Sequence, residues 1–99
     1  MNQNNNIKLT KRGQNMEKKA IEEKIWEIIS NIKGKEVNYK KNDDELTGRY
    51  YNLDSVDMVY LVLEIQKFFM VKIEKKDLDN YGFLTVEKIS NIVFQKKLI

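Results

Sequence analysis

Neither cysteine nor histidine occurs anywhere in this chain of 99 residues, and proline is missing as well. Without thiols or imidazoles the chain cannot build a disulfide, a thiolate nucleophile, an imidazole base or a Cys/His metal site. The expectation is therefore a protein that does not catalyse by itself. No apolar run approaches the roughly 20 residues that a membrane-spanning helix needs. The first ten residues, Met1 to Thr10, are polar and rich in asparagine, without the apolar core of a secretory signal, so a cytoplasmic location with no membrane insertion is expected. The lack of proline and of alternating polar and apolar runs argues against a β-fold.

Acidic residues are scarce in one place only. Residues 1–15 hold Lys8, Lys11 and Arg12 and no carboxylate, which accounts for the whole formal charge of +3, whereas residues 16–99 balance. Three charges with no aromatic residue and no amphipathic pattern read as a disordered basic tail, not as a nucleic-acid-binding surface. This tail is expected to be foreign to the native product. Lys, Asn and Ile dominate while arginine occurs only at positions 12 and 49, which indicates AT-rich coding; Arg12-Gly13 written AGA-GGA resembles a bacterial ribosome-binding site just ahead of Met16. The expected division is a tail over 1–15 and one domain over 16–99. A chain this short buries only about 60–65% of its unfolded surface, which favours a compact helical bundle.

From Met16 onward the pattern is helical. Ile21, Ile25, Ile28, Ile29 and Ile32 form one stripe at helical spacing, with Glu22, Glu23, Lys24 and Glu27 toward water, Trp26 widening the apolar face and Gly34 as the stop. Residues 35–53 show no period, but Val37, Tyr39, Leu46, Tyr50, Tyr51 and Leu53 supply anchors for a loop draped over the bundle. Asp43, Asp44 and Glu45 within it read as solvated surface. A second helix is expected from Asp54 to Phe69, with Asp54 or Ser55 as its N-cap and Asp57 in its first turn. It carries two apolar stripes, Met58, Leu61, Val62, Ile65, Phe68 and Phe69 on one, Val56, Val59, Tyr60 and Leu63 on the other. A core needs only the first, so the second is either buried too or is a strip on which partners dock. Lys75 to Asn80 reads as a helical turn, Gly82 as a break, and Thr85 as the cap of a last helix that turns Val86, Ile89, Ile92 and Val93 inward, with Lys96 and Lys97 at its end.

Asp54-Ser55-Val56-Asp57-Met58-Val59, followed by Glu64, Phe68-Phe69-Met70-Val71-Lys72-Ile73 and Thr85-Val86-Glu87, and preceded by Ile25-Trp26-Glu27-Ile28-Ile29 and Asp44-Glu45-Leu46, resembles the acyl carrier protein family. The resemblance spans about residues 16–97. It implies an all-α, acyl-carrier-like four-helix bundle, three main helices plus one short one, with a long loop between the first two. It also implies covalent attachment of 4′-phosphopantetheine at Ser55 by a phosphopantetheinyl transferase, with Asp54 and Asp57 beside it. An acyl or aminoacyl group would then travel as a thioester, and acyl- or aminoacyl-transferring enzymes would dock on Val56, Val59, Tyr60 and Leu63. The carrier itself would be a non-catalytic monomer. This chain departs from the family pattern at Asn52, where glycine is usual, and at Tyr60, Gln66 and Lys67, where acidic recognition residues are usual. The region from Leu46-Thr47-Gly48 to Val59-Tyr60-Leu61 looks similar to the carrier-related proteins of bacterial peptide maturation clusters, which raises the alternative of an unmodified docking adaptor.

Overall fold

A computed structural model describes the backbone of residues 5–98 and the side chains of residues 18–98. Among these residues the regular structure is entirely helical: α1 (Asn5–Lys33), α2 (Ser55–Phe69), the short α3 (Lys75–Leu78) continued by a 3-10 turn (Asp79–Tyr81), and α4 (Val86–Leu98). Helix α1 begins well ahead of the boundary expected at Met16, so residues 5–15 are helical where a disordered tail was expected. Nothing in that segment breaks a helix except Gly13, and a single glycine costs only about 1 kcal/mol. The side chains of Lys8, Lys11, Arg12 and Met16 lie outside the described ones.

The helices pack with α1 as the common partner of α2 and α4. Ile21, Ile25, Ile28 and Ile29 of α1 are buried, as the isoleucine stripe predicts, against Leu61, Ile65 and Phe69 of α2 and Val86, Ile89 and Val93 of α4. Trp26 is part of the same core. The periodicity of each stripe is what allows three helices to share one interior; burial of each such side chain contributes about 1.5–3 kcal/mol. Ser90, fully buried in α4, donates its hydroxyl to the Glu87 carbonyl at 2.9 Å, so its polarity is satisfied inside its own helix.

Each helix end has an identifiable cause. Gly34 adopts φ +75°, and the amides of Gly34 and Lys35 both reach back to the Ser30 carbonyl, which stops α1 at the expected residue. Thr85 Oγ1 accepts from Lys88 N at 3.1 Å and starts α4. The end of α2 carries no glycine: Met70 takes the left-handed conformation with φ 57°, and Gln66 stabilises the turn, its carbonyl accepting from Val71 N and its side-chain oxygen from Ile73 N at 2.8 Å. At Gly82 any side chain would be excluded, because a Cβ there would lie 1.9 Å from the Asp77 carbonyl oxygen. The helical turn expected over 75–80 is present as α3 and its 3-10 extension.

The segment between α1 and α2 contains no regular element and is held by specific bonds instead. Leu46 exchanges backbone hydrogen bonds with its surroundings, donating to the Leu84 carbonyl and accepting from Leu53 N. Asn42 is a clamp between two helices: its side-chain oxygen accepts from Trp26 Nε1 at 2.7 Å and its carbonyl from Glu87 N at 2.8 Å. Leu46, Tyr51 and Leu53 anchor the loop in the core as expected, but Tyr39 and Tyr50 do not; they remain exposed. No helix among the described residues is long and apolar enough to cross a membrane.

Candidate functional site

The start of α2 is built from four residues that the loop delivers in a fixed order. Asn52 adopts φ 53°, the left-handed conformation that asparagine tolerates, and so turns the chain into the helix without the usual glycine. Asp54 is the N-cap. Its Oδ1 accepts from Asp57 N at 2.8 Å, while Asp57 Oδ2 accepts from Asp54 N at 3.1 Å, a reciprocal capping box. Between the two alternatives left by the sequence, the cap is therefore Asp54. Ser55 is the first residue of the helix and is exposed.

That division of labour decides what the serine hydroxyl can do. Because Asp54 closes the cap, the Ser55 hydroxyl is not required for it, and Ser55 itself is exposed. The first amides of a helix lack intrahelical acceptors, and the dipole is positive at this end, so an anion carried on Ser55 would gain about 0.3–1 kcal/mol. The aspartates on either side are differently placed from free recognition acids. Asp57 serves the cap and also pairs with Lys33 at 3.5 Å, and Lys33 Nζ donates to the Asn52 carbonyl at 3.1 Å. The last residue of α1 thus ties together the turn and the first turn of α2. Nothing in the sequence pointed to Lys33, because the contact joins residues far apart in the chain.

Along α2, Val56, Val59, Tyr60 and Leu63 are each between 51% and 59% exposed, so of the two fates open to the second stripe it is the exposed one that holds. Phe68, expected in the buried stripe, is also exposed; Phe69 takes the interior position, with Phe68 edge-on against it at 5.0 Å between ring centres and Lys24 Nζ 4.1 Å above the Phe68 ring. Tyr60 and Asp57 line an open groove of about 460 Å³ between α1 and α2, together with Ile28, Asn31, Ile32 and Glu64. Gln66, one of the departures from acidic character, is occupied in closing the turn after α2, and Lys67 stands exposed on the surface.

The far end of the molecule is organised around Asp77. Its Oδ2 lies 2.9 Å from Lys96 Nζ and accepts from Glu74 N at 2.7 Å, which joins α3 to α4. Partial burial pushes this carboxyl up, but the Glu74 amide and the Lys96 ammonium outweigh it and hold it below the ordinary aspartate value. Lys97 donates to the carbonyl of Phe69 at 3.3 Å, so the two lysines expected to suit the end of α4 are links to α3 and α2. In the loop, burial raises the Tyr51 hydroxyl above its ordinary value, while the Lys41 amide that it accepts at 3.0 Å works against that rise.

No group of three or more acidic residues stands ready to hold a metal ion among the described residues. The chain matches no protein-family model, no curated protein and no solved structure.

Proposed function

We propose that this protein is an acyl carrier: a stem that holds an acyl or aminoacyl group on a 4′-phosphopantetheine arm at Ser55 and presents it to partner enzymes. The observation that carries the reading is an exposed serine hydroxyl at the first position of a fifteen-residue helix whose cap is closed by its neighbour Asp54. The resemblance of Asp54-Ser55-Val56-Asp57 and its downstream pattern to the family supplies the chemistry.

The residues present fit such a group. Ser55 is exposed to a transferase, which would form the Oγ–phosphorus bond as the pyrophosphate P–O bond of coenzyme A breaks, with adenosine 3′,5′-bisphosphate leaving and the hydroxyl proton passing to the transferase's base. The serine needs no base of its own, because the transferase supplies it, so a chain without histidine loses nothing. When bound, the arm would supply the thiol that the sequence lacks and carry cargo as a thioester. Asp54, Asp57 and Lys33 would act as a rigid mount, keeping the attachment point fixed while the arm moves. Val56, Val59, Tyr60 and Leu63 would form the docking face, one with little negative charge, so its partners would bind through apolar contact more than through charge steering.

An unmodified docking adaptor is the second reading, favoured by that same apolar strip. The two diverge at one atom. Coexpression with a broad-specificity phosphopantetheinyl transferase, followed by intact-mass measurement, is expected to show the added prosthetic group in the unaltered protein and no addition in Ser55→Ala. An unchanged mass with several transferases would instead assign the adaptor role.

A further inference from the structure

Four aromatic rings run from the core to the surface on the loop side of the molecule. Trp26 lies 5.1 Å from Tyr51, Tyr51 stacks on Tyr39 at 6.3 Å with 19° between planes, and Tyr39 lies 4.8 Å from Tyr50. The inner two rings are buried and fixed by hydrogen bonds, Trp26 Nε1 to Asn42 and the Tyr51 hydroxyl from Lys41 N. The outer two are not needed for the core: Tyr39 is 47% and Tyr50 71% exposed. Rings this open gain little from burial, yet they are held on a rigid support.

They also line a partly enclosed hollow of about 460 Å³, within the usual size of small-ligand sites. Its cations are Lys33, Lys35 and Arg49, against the single carboxylate of Glu36. Lys33 is committed to Asp57. Lys35 and Arg49 have no carboxylate within 4 Å among the described residues. An exposed π-face and two unpaired cations in one concavity ask for a ligand that has both a flat ring and negative charge.

We infer that this hollow binds a nucleotide, its base stacked on Tyr50 and its phosphates held by Lys35 and Arg49. Stacking on a tyrosine face is tolerant of the base, whereas the guanidinium of Arg49 favours phosphate through paired N–H donors. A preordered ring support lowers the ordering cost that usually weakens binding to loops. The inference is independent of the role assigned to Ser55.

Isothermal titration of the full chain with ADP tests it, using adenosine and pyrophosphate as the two halves of the probe. ADP is expected to bind at least about tenfold more tightly than either half. Tyr50→Ser and Arg49→Gln, both surface substitutions, are each expected to weaken ADP about fivefold or more while leaving the helical circular dichroism unchanged. Titration with coenzyme A separates the sources of that chemistry: tighter binding than ADP marks the nucleotide end of coenzyme A as the occupant, equal or weaker binding a free nucleotide. If ADP binds no better than pyrophosphate, or equally well after Tyr50→Ser, the hollow is only a basic patch and the inference fails.

Discussion

The two faces of α2 are made of the same kinds of residue and have opposite fates. Leu61 and Ile65 are completely buried, while Val59 and Leu63, only two positions away in each case, are more than half exposed. Hydrophobicity alone does not separate them; the positions of α1 and α4 do. The lesson is that the apolar content of this helix exceeds what its own bundle consumes, and that the surplus sits on one continuous strip beginning beside Ser55.

Substitutions along the helix should break this contrast unequally. Leu61→Ala is expected to cost about 2–5 kcal/mol, because a fully enclosed side chain leaves a cavity that the surrounding isoleucines fill only in part. Urea unfolding measures it; a loss below about 1 kcal/mol would mean that α2 is not packed as described. Asp54→Ala, which removes the acceptor for Asp57 N, should cost about 0.5–2 kcal/mol in the same measurement. Asp57→Ala should cost more than a surface change for a second reason, since it also releases Lys33.

The acid side of the stability profile sharpens the comparison between the two ends of the molecule. Asp77 has a folded value held below its unfolded one, so its stabilisation is present above the unfolded aspartate value and is lost as pH falls through the folded value. Asp77→Asn should therefore lower stability near neutral pH and flatten its decline in acid, as thermal melts across that range would record. The smallest effect is expected on the exposed strip. Val59→Thr should change stability by less than about 0.5 kcal/mol in urea unfolding, and a large loss of stability there would show the strip to be part of the core.

Much of this architecture was legible in the residues. The isoleucine repeat of α1, the Val86, Ile89 and Val93 face of α4, the Gly34 stop and the Thr85 cap each follow from local rules, and each is found where those rules put it. The position of Ser55 at a helix start was legible for the same reason, since a capping aspartate ahead of an apolar run marks such a start. What escaped was decided by contacts distant in sequence. By helical phase Phe68 belongs with Leu61, but at the last turn of α2 the interior place goes to Phe69 and Lys24 reaches across from α1 to cover the ring left outside. Tyr39 and Tyr50 read as core anchors because aromatic residues in a loop commonly are; only the path of the chain between Gly34 and Asn52 shows that they end a stack instead of filling the interior. Gln66 carried no signal either, because its part is to satisfy an amide in a turn that glycine usually makes.

Asn42 joins Trp26 and Glu87 through two atoms of one residue. Since Trp26 is the only tryptophan in the chain, its indole emission reports both on this clamp and on the core in which the ring is buried. A red shift that precedes the loss of helix on heating would reveal the loop peeling away first, and Asn42→Ala should bring that shift to a lower temperature.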